Sequence, residues 1–172
     1  MLGDYKFAES DYVQSQGLND YILVYCLDPR QKKKHEASLD FLRTQLGKKV
    51  VTITSSHHTA WALENADINV YDAPPMDWLS LFANASYVYT DSFHGAIFSL
   101  LYRKELLMMI EDNERADRLK DLSKRYDVGN RLCFSLEDVK MNYDNSMNYD
   151  SINQKIENHR ALSIDYLSKA LS

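Results

Sequence analysis

Cysteine and glycine are both scarce in this chain, and so are long apolar runs and excess positive charge. The 172 residues include two cysteines, Cys26 and Cys133. Each sits within an apolar run, YILVYCL and RLCFSL. That excludes a disulfide framework, and it forms neither a redox pair nor a metal-ligand spacing. Both are expected to be small buried hydrophobes suited to a reducing compartment. Five glycines are scattered with no G-x-G-x-x-G and no G-K-[ST] run, so dinucleotide, flavin and P-loop sites lack their usual support. No Asp-x-Asp pair is present to hold a divalent ion under a sugar diphosphate. Asp112-Asn113-Glu114 reads more simply as the cap and first turn of a helix, and the adjacent His57 and His58 are poorly spaced for one ion. Neither a metal nor a cofactor is expected. The longest apolar runs, such as LLMMI, are far too short to span a bilayer. The chain opens on a largely polar segment, so no signal peptide is expected, and the sequon Asn84-Ala85-Ser86 is read as fortuitous. With 20 Lys and Arg against 25 Asp and Glu, the formal charge is -5, which argues against a nucleic-acid binder.

What remains is ordinary globular composition, 45% hydrophobic and 26% charged. The length fits one domain that buries roughly 70% of its unfolded surface and needs no staples. Residues 1–20 read as a polar lead-in and 21–172 as a single domain. The apolar runs Tyr21–Leu27, Val50–Thr54, Ile68–Tyr71, Tyr87–Thr90 and Leu106–Ile110 predict strands, with a short one near Leu132. Helices are expected between them. One is capped by Asp28, has Pro29 in its first position and is stopped by Gly47, with His35, Leu39, Leu42 and Leu46 on one face. Others are expected over 59–65, 76–85, 94–103 and 114–126. The 94–103 segment is apolar nearly all round and so is expected to be central. A last helix over 150–171 carries Ile152, Ile156, Tyr166, Leu167 and Leu171 on its apolar side. Continuous apolar strands alternating with helices predict an α/β, Rossmann-like open parallel sheet covered on both faces. The repeated Asn-Tyr-Asp at 142–144 and 148–150 reads as a polar loop. A calcium loop starting at Asp144 is rejected, because Tyr149 and Lys155 stand where glycine and glutamate are required.

In such a sheet, ligands bind outside the carboxyl ends of the strands. Thr90-Asp91-Ser92-Phe93-His94-Gly95 runs from the fourth strand straight into the apolar helix. The opening amides of a helix attract anions, and His94 adds an imidazole able to donate a hydrogen bond or a proton. Gly95 would let a ligand approach the backbone, and Asp91 is expected to cap the helix or orient His94. The plainer alternative is a capped helix with a satisfied interior histidine. Ser55, Ser56, His57 and His58 could reach the same crevice, although a solvated loop is the simpler account. Arg30 and Lys32–Lys34 could form an electropositive rim or a solvated helix face. Arg115 and Arg131 are expected at the surface or in structural roles, and Trp78 is expected to pack its helix against the sheet.

The stretch Asp77–Ser99, with Asp91-Ser92-Phe93-His94-Gly95 and Phe98 as its core, resembles the signature region of the polysaccharide pyruvyl transferase family. The block from Asp117-Arg118-Leu119 through Val128, followed by Arg131-Leu132, is similar to the next block of that family. The resemblance covers residues 20 to 135. It implies the C-terminal, donor-binding half of a GT-B-like architecture, with a missing N-terminal domain across the cleft. It further implies transfer of pyruvate from phosphoenolpyruvate to two sugar hydroxyls as a cyclic ketal, on a polysaccharide or lipid-linked oligosaccharide acceptor. The expected location is the cytoplasm, near the inner face of the membrane. By this resemblance His94 is the catalytic residue, and Ser92, Phe93, His94, Gly95 and Arg118 bind the donor. His94 would act as general acid or phosphate ligand, and Arg118 would pair with the donor's carboxylate or phosphate. The segment between Ile110 and Arg118 is shorter than is usual in the family. Without its partner domain the fragment is expected to be inactive, and its open cleft face to favour self-association. Two other readings stay open: a GT-B glycosyltransferase domain using a nucleotide sugar, and a non-catalytic module on the same fold.

Overall fold

In the computed structural model, residues 10–28, 31–54, 66–111 and 116–171 are described. Six strands form one parallel sheet: β1 (Tyr21–Tyr25), β2 (Lys49–Thr54), β3 (Ile68–Tyr71), β4 (Tyr87–Thr90), β5 (Glu105–Met109) and β6 (Leu132–Cys133). Their spatial order is β3-β2-β1-β4-β5-β6. The chain works outward from β1 in one direction, then returns to place β4 on the other side of β1. The point of reversal therefore lies between β1 and β4, whose register pairs Ile22 with Tyr87 and Tyr25 with Thr90. In an open sheet of this order, that reversal leaves a crevice at the strands' carboxyl ends.

Period-two alternation sends successive side chains to opposite faces. Leu23, Val51, Val88, Leu106 and Met108 build one core layer. It packs against α1 (Tyr12–Ser15), α3 (Pro75–Asn84), α4 (Phe93–Leu101), α5 (Asp117–Tyr126) and the start of α7 (Tyr149–Ala170). Ile22, Val24, Val50, Tyr89, Leu107 and Met109 build the other, beneath α2 (Lys32–Leu46) and α6 (Leu136–Asn142). Trp78 packs edge-on against Tyr25 and Phe98 at centroid distances of 5.4 and 5.0 Å, holding α3 to the sheet.

Several local expectations are corrected. The N-cap position of α2 is Gln31 rather than Asp28. That helix starts at Lys32 after Gln31, which makes no side-chain cap bond, while Pro29 lies outside the described residues. The helix does end at Gly47, whose φ of 65° suits a residue without a Cβ. The lead-in holds one helical turn, α1, with Val13 buried. The segment after β6 forms α6, where Ser135 accepts from the Asp138 amide. Only the first half of α7 joins the core, through buried Ile152 and half-buried Ile156, whereas Tyr166, Leu167 and Leu171 are exposed. The helix expected over 59–65 lies outside the described residues. Arg131 proves structural. It is fully buried, pairs with Glu105 at 2.8 Å, donates to the carbonyl of Asn142 at 3.1 Å and also donates to that of Asn145. Arg115 lies outside the described residues.

Candidate functional site

A cavity of about 400 Å³ opens at the carboxyl ends of β1, β4 and β5. Leu27 and Asp28, just after β1, form one wall. Ile110 and Glu111, after β5, form another, and the first turns of α4 and α5 contribute Phe93, His94, Ala116, Arg118 and Leu119. The cavity thus lies at the reversal between β1 and β4, where this topology leaves room for a ligand.

The turn from β4 into α4 is built from short polar side chains for definite reasons. The Thr90 hydroxyl donates to the Tyr25 carbonyl and accepts from the Ser92 amide at 3.0 Å. Ser92, in extended conformation, caps α4 by accepting from the Gly95 amide at 3.4 Å. Phe93 and His94 are the first two residues of the helix, where no intrahelical acceptor exists for their amides. His94 is exposed and borders the cavity. Arg118, the second residue of α5, borders the same cavity, with its guanidinium carbon 5.4 Å from the centroid of the Phe93 ring. Ser92, Phe93, His94 and Arg118 are therefore brought together.

Gly95 is not. It is buried, and a Cβ built on it would lie 2.5 Å from the Thr90 Oγ1. Its lack of a side chain serves close approach of α4 to β4 rather than access for a ligand. Asp91 also does something other than expected. Its carboxylate crosses to the β1 side, where it accepts the Leu27 amide at 2.6 Å and the Asp28 amide at 2.9 Å. It therefore neither caps α4 nor orients His94. Burial raises its pKa, and the Asp28 and Leu27 amides partly offset the rise by stabilising the charge. Nothing in the spacing of Asp91 from residues 27 and 28 could have revealed this link, because it depends on β1 and β4 being neighbours.

Lys32 and Lys34 do not border the cavity. Lys32 lies 3.8 Å from Glu36, and Lys34 reaches the Ile110 carbonyl at 3.5 Å. Ser55, Ser56, His57, His58 and Arg30 lie outside the described residues.

Beneath the cavity, His35 is fully buried, with Nδ1 3.0 Å from the Tyr89 hydroxyl and Nε2 3.8 Å from an Asp91 oxygen. Burial, with help from the Lys34 charge, lowers its pKa to about 4. Cys26, His35 and Asp91 offer a thiol, an imidazole and a carboxylate within 4.8 Å of one another. Ligand atoms around a tetrahedral zinc would lie roughly 3.3–3.8 Å apart, so the trio would have to contract to hold one. Burial, then the charge of Asp91, raises the Cys26 thiol well above its usual value. Both cysteines are free and buried, and burial pushes Cys133 up to about 12.

The sequence profile of the family described as Polysaccharide pyruvyl transferase matches residues 4–113, well over half of the chain. The chain belongs to the polysaccharide pyruvyl transferase family. The match takes in β1 through β5 and the whole turn around His94, though not Arg118. No curated protein matches the chain. Among solved structures, a UDP-GlcNAc 2-epimerase from Methanocaldococcus jannaschii is similar with a TM-score of 0.59 at 13% identity, over 81% of this chain and 43% of that one. A second structure of the Methanocaldococcus jannaschii UDP-GlcNAc 2-epimerase, in complex with UDP-GlcNAc and UDP, gives 0.56 at 13%, over 90% and 49%. These likenesses support the GT-B-like Rossmann fold of this pyruvyl transferase family member. The chain spans less than half the length of either. Among the described residues, no helix is long and apolar enough to cross a membrane.

Proposed function

We propose that this chain forms the donor-binding half of a polysaccharide pyruvyl transferase, taking phosphoenolpyruvate at the cavity beside His94. The observation that carries this reading is the meeting of His94, the first-turn amides of α4 and Arg118 at one cavity on the β1/β4 reversal. Phosphoenolpyruvate carries a phosphate and a carboxylate. A helix start and a guanidinium supply backbone amides for one and a bidentate donor edge for the other.

In the reaction, one sugar hydroxyl adds through oxygen to the enol carbon while the methylene carbon gains a proton. The bond to the phosphate oxygen then breaks, and inorganic phosphate leaves. A second hydroxyl attacks the same carbon and closes the ketal, and each hydroxyl gives up its proton. His94 serves either as the acid that protonates the methylene or as a donor to the departing phosphate. The acceptor, a polysaccharide or lipid-linked oligosaccharide, and an N-terminal domain facing the cavity complete the proposed enzyme.

Calorimetric titration of the chain with phosphoenolpyruvate, inorganic phosphate and a UDP-sugar tests the reading. Phosphoenolpyruvate is expected to bind, and His94→Ala to abolish that binding. Binding of the UDP-sugar without phosphoenolpyruvate would favour the alternative of a transferase domain using a nucleotide sugar.

A further inference from the structure

We infer that Phe93 is a positioning residue whose ring is the platform that holds the Arg118 guanidinium at the cavity; this rests on the anion-binding reading above. Arg118 is exposed and, among the described residues, makes no hydrogen bond or ion pair. The neighbouring acid, Asp117, lies 3.8 Å from Lys120 instead. The contact that fixes Arg118 is the Phe93 ring, 5.4 Å from its guanidinium carbon. The same ring meets the His94 imidazole at 6.0 Å, edge to face. One aromatic side chain thus touches both groups assigned to the donor.

An aromatic partner differs from an acidic one in a way that matters here. A carboxylate would hold the guanidinium but would cancel its charge and occupy its fork of N–H donors. A ring face attracts the cation through its quadrupole and leaves the donor edge open. Arg118 also stands in the first turn of α5, where the helix dipole opposes a cation. An attractive surface outside the helix offsets that local cost. Phe93 is well suited to the task. It is half-buried against the core and opens α4 behind the Ser92 cap, so its ring is held from two sides.

The test needs two measurements on the 172-residue chain. First, without ligand, NMR of the Arg118 side chain should show the upfield shift of a group above a ring. The shift should be lost in Phe93→Leu and regained in Phe93→Tyr. Second, titration with phosphoenolpyruvate, and with inorganic phosphate as a second probe, should show Phe93→Leu weakening binding about three- to fivefold. Phe93→Tyr should bind nearly as wild type. In an Arg118→Met background, Phe93→Leu should cost nothing further, whereas a merely structural phenylalanine would cost the same in both. Unshifted Arg118 signals in the wild type, or an equal penalty with and without Arg118, overturns the inference. If the wild type binds neither probe, the donor reading fails, and the ligand-free shift alone decides the platform.

Discussion

Gly95 and Thr90 approach so closely that a Cβ at position 95 would fall 2.5 Å from the threonine Oγ1 and 3.2 Å from its Cβ. Neither atom belongs to a flexible chain end, and Thr90 Oγ1 is held between the Tyr25 carbonyl and the Ser92 amide. Gly95→Ala is therefore expected to cost about 2 kcal/mol, in the range of an overpacked core. Denaturant unfolding measures it. Thr90→Ala in the same background should recover part of the loss. Simple addition of the two penalties would show that the clash relaxes elsewhere.

The Asp91 carboxylate holds two amides from the neighbouring strand end, and hydrogen bonds to a charged acceptor are the strong kind. Asp91→Ala leaves the exposed Leu27 amide and the half-buried Asp28 amide without their acceptor and is expected to cost about 2 kcal/mol. Asp91→Asn, which keeps one acceptor oxygen, should cost less. Hydrogen exchange at Leu27 and Asp28 provides the local readout, and unchanged protection in the alanine variant would contradict the bridge.

His35 predicts the acid limb of stability. Its folded pKa is lowered to about 4 from an ordinary 6.5. Between those values the unfolded chain binds a proton that the folded one does not, so stability falls as the pH drops from 6.5 towards 4. It is insensitive to this group outside that window. The loss from this one residue is on the order of 3 kcal/mol. Urea titrations from pH 7 to 4 should show a shallower decline in His35→Gln.

Arg131 is buried while its partners lie nearer the surface, and removing it takes away their shared donor. Arg131→Met is expected to destabilise the chain by about 3 kcal/mol through the lost carbonyl contacts and the half-exposed Glu105. The midpoint of chemical denaturation checks it. The effect should fall on stability and leave the His94 cavity unaltered.

Much of this architecture was legible in the order of residues because it depends on local pattern. Tyr87–Thr90 and Ile68–Tyr71 emerge as strands with the bounds their β-branched and aromatic runs suggest. Gly47 ends α2 for the reason a glycine usually ends a helix. The Ser92–His94 turn could be singled out because a strand passes directly into a helix there. The start of α2 falls at Lys32, beyond the Asp28-Pro29 pair whose residue types suggest a cap. Gly95 was misread because its neighbour across the turn, Thr90, determines what its missing side chain is for. The exposed end of α7 shows the converse, since helical spacing continues past the point where the core ends.

The Asp91 bridge also bears on how the crevice behaves. Because one carboxylate ties the end of β4 to the end of β1, the rear of the pocket is a braced frame that stands ready before anything enters. In the proposed donor site, adjustment to a guest then falls to the front, where the Arg118 side chain lies beside the Phe93 ring, and not to the backbone.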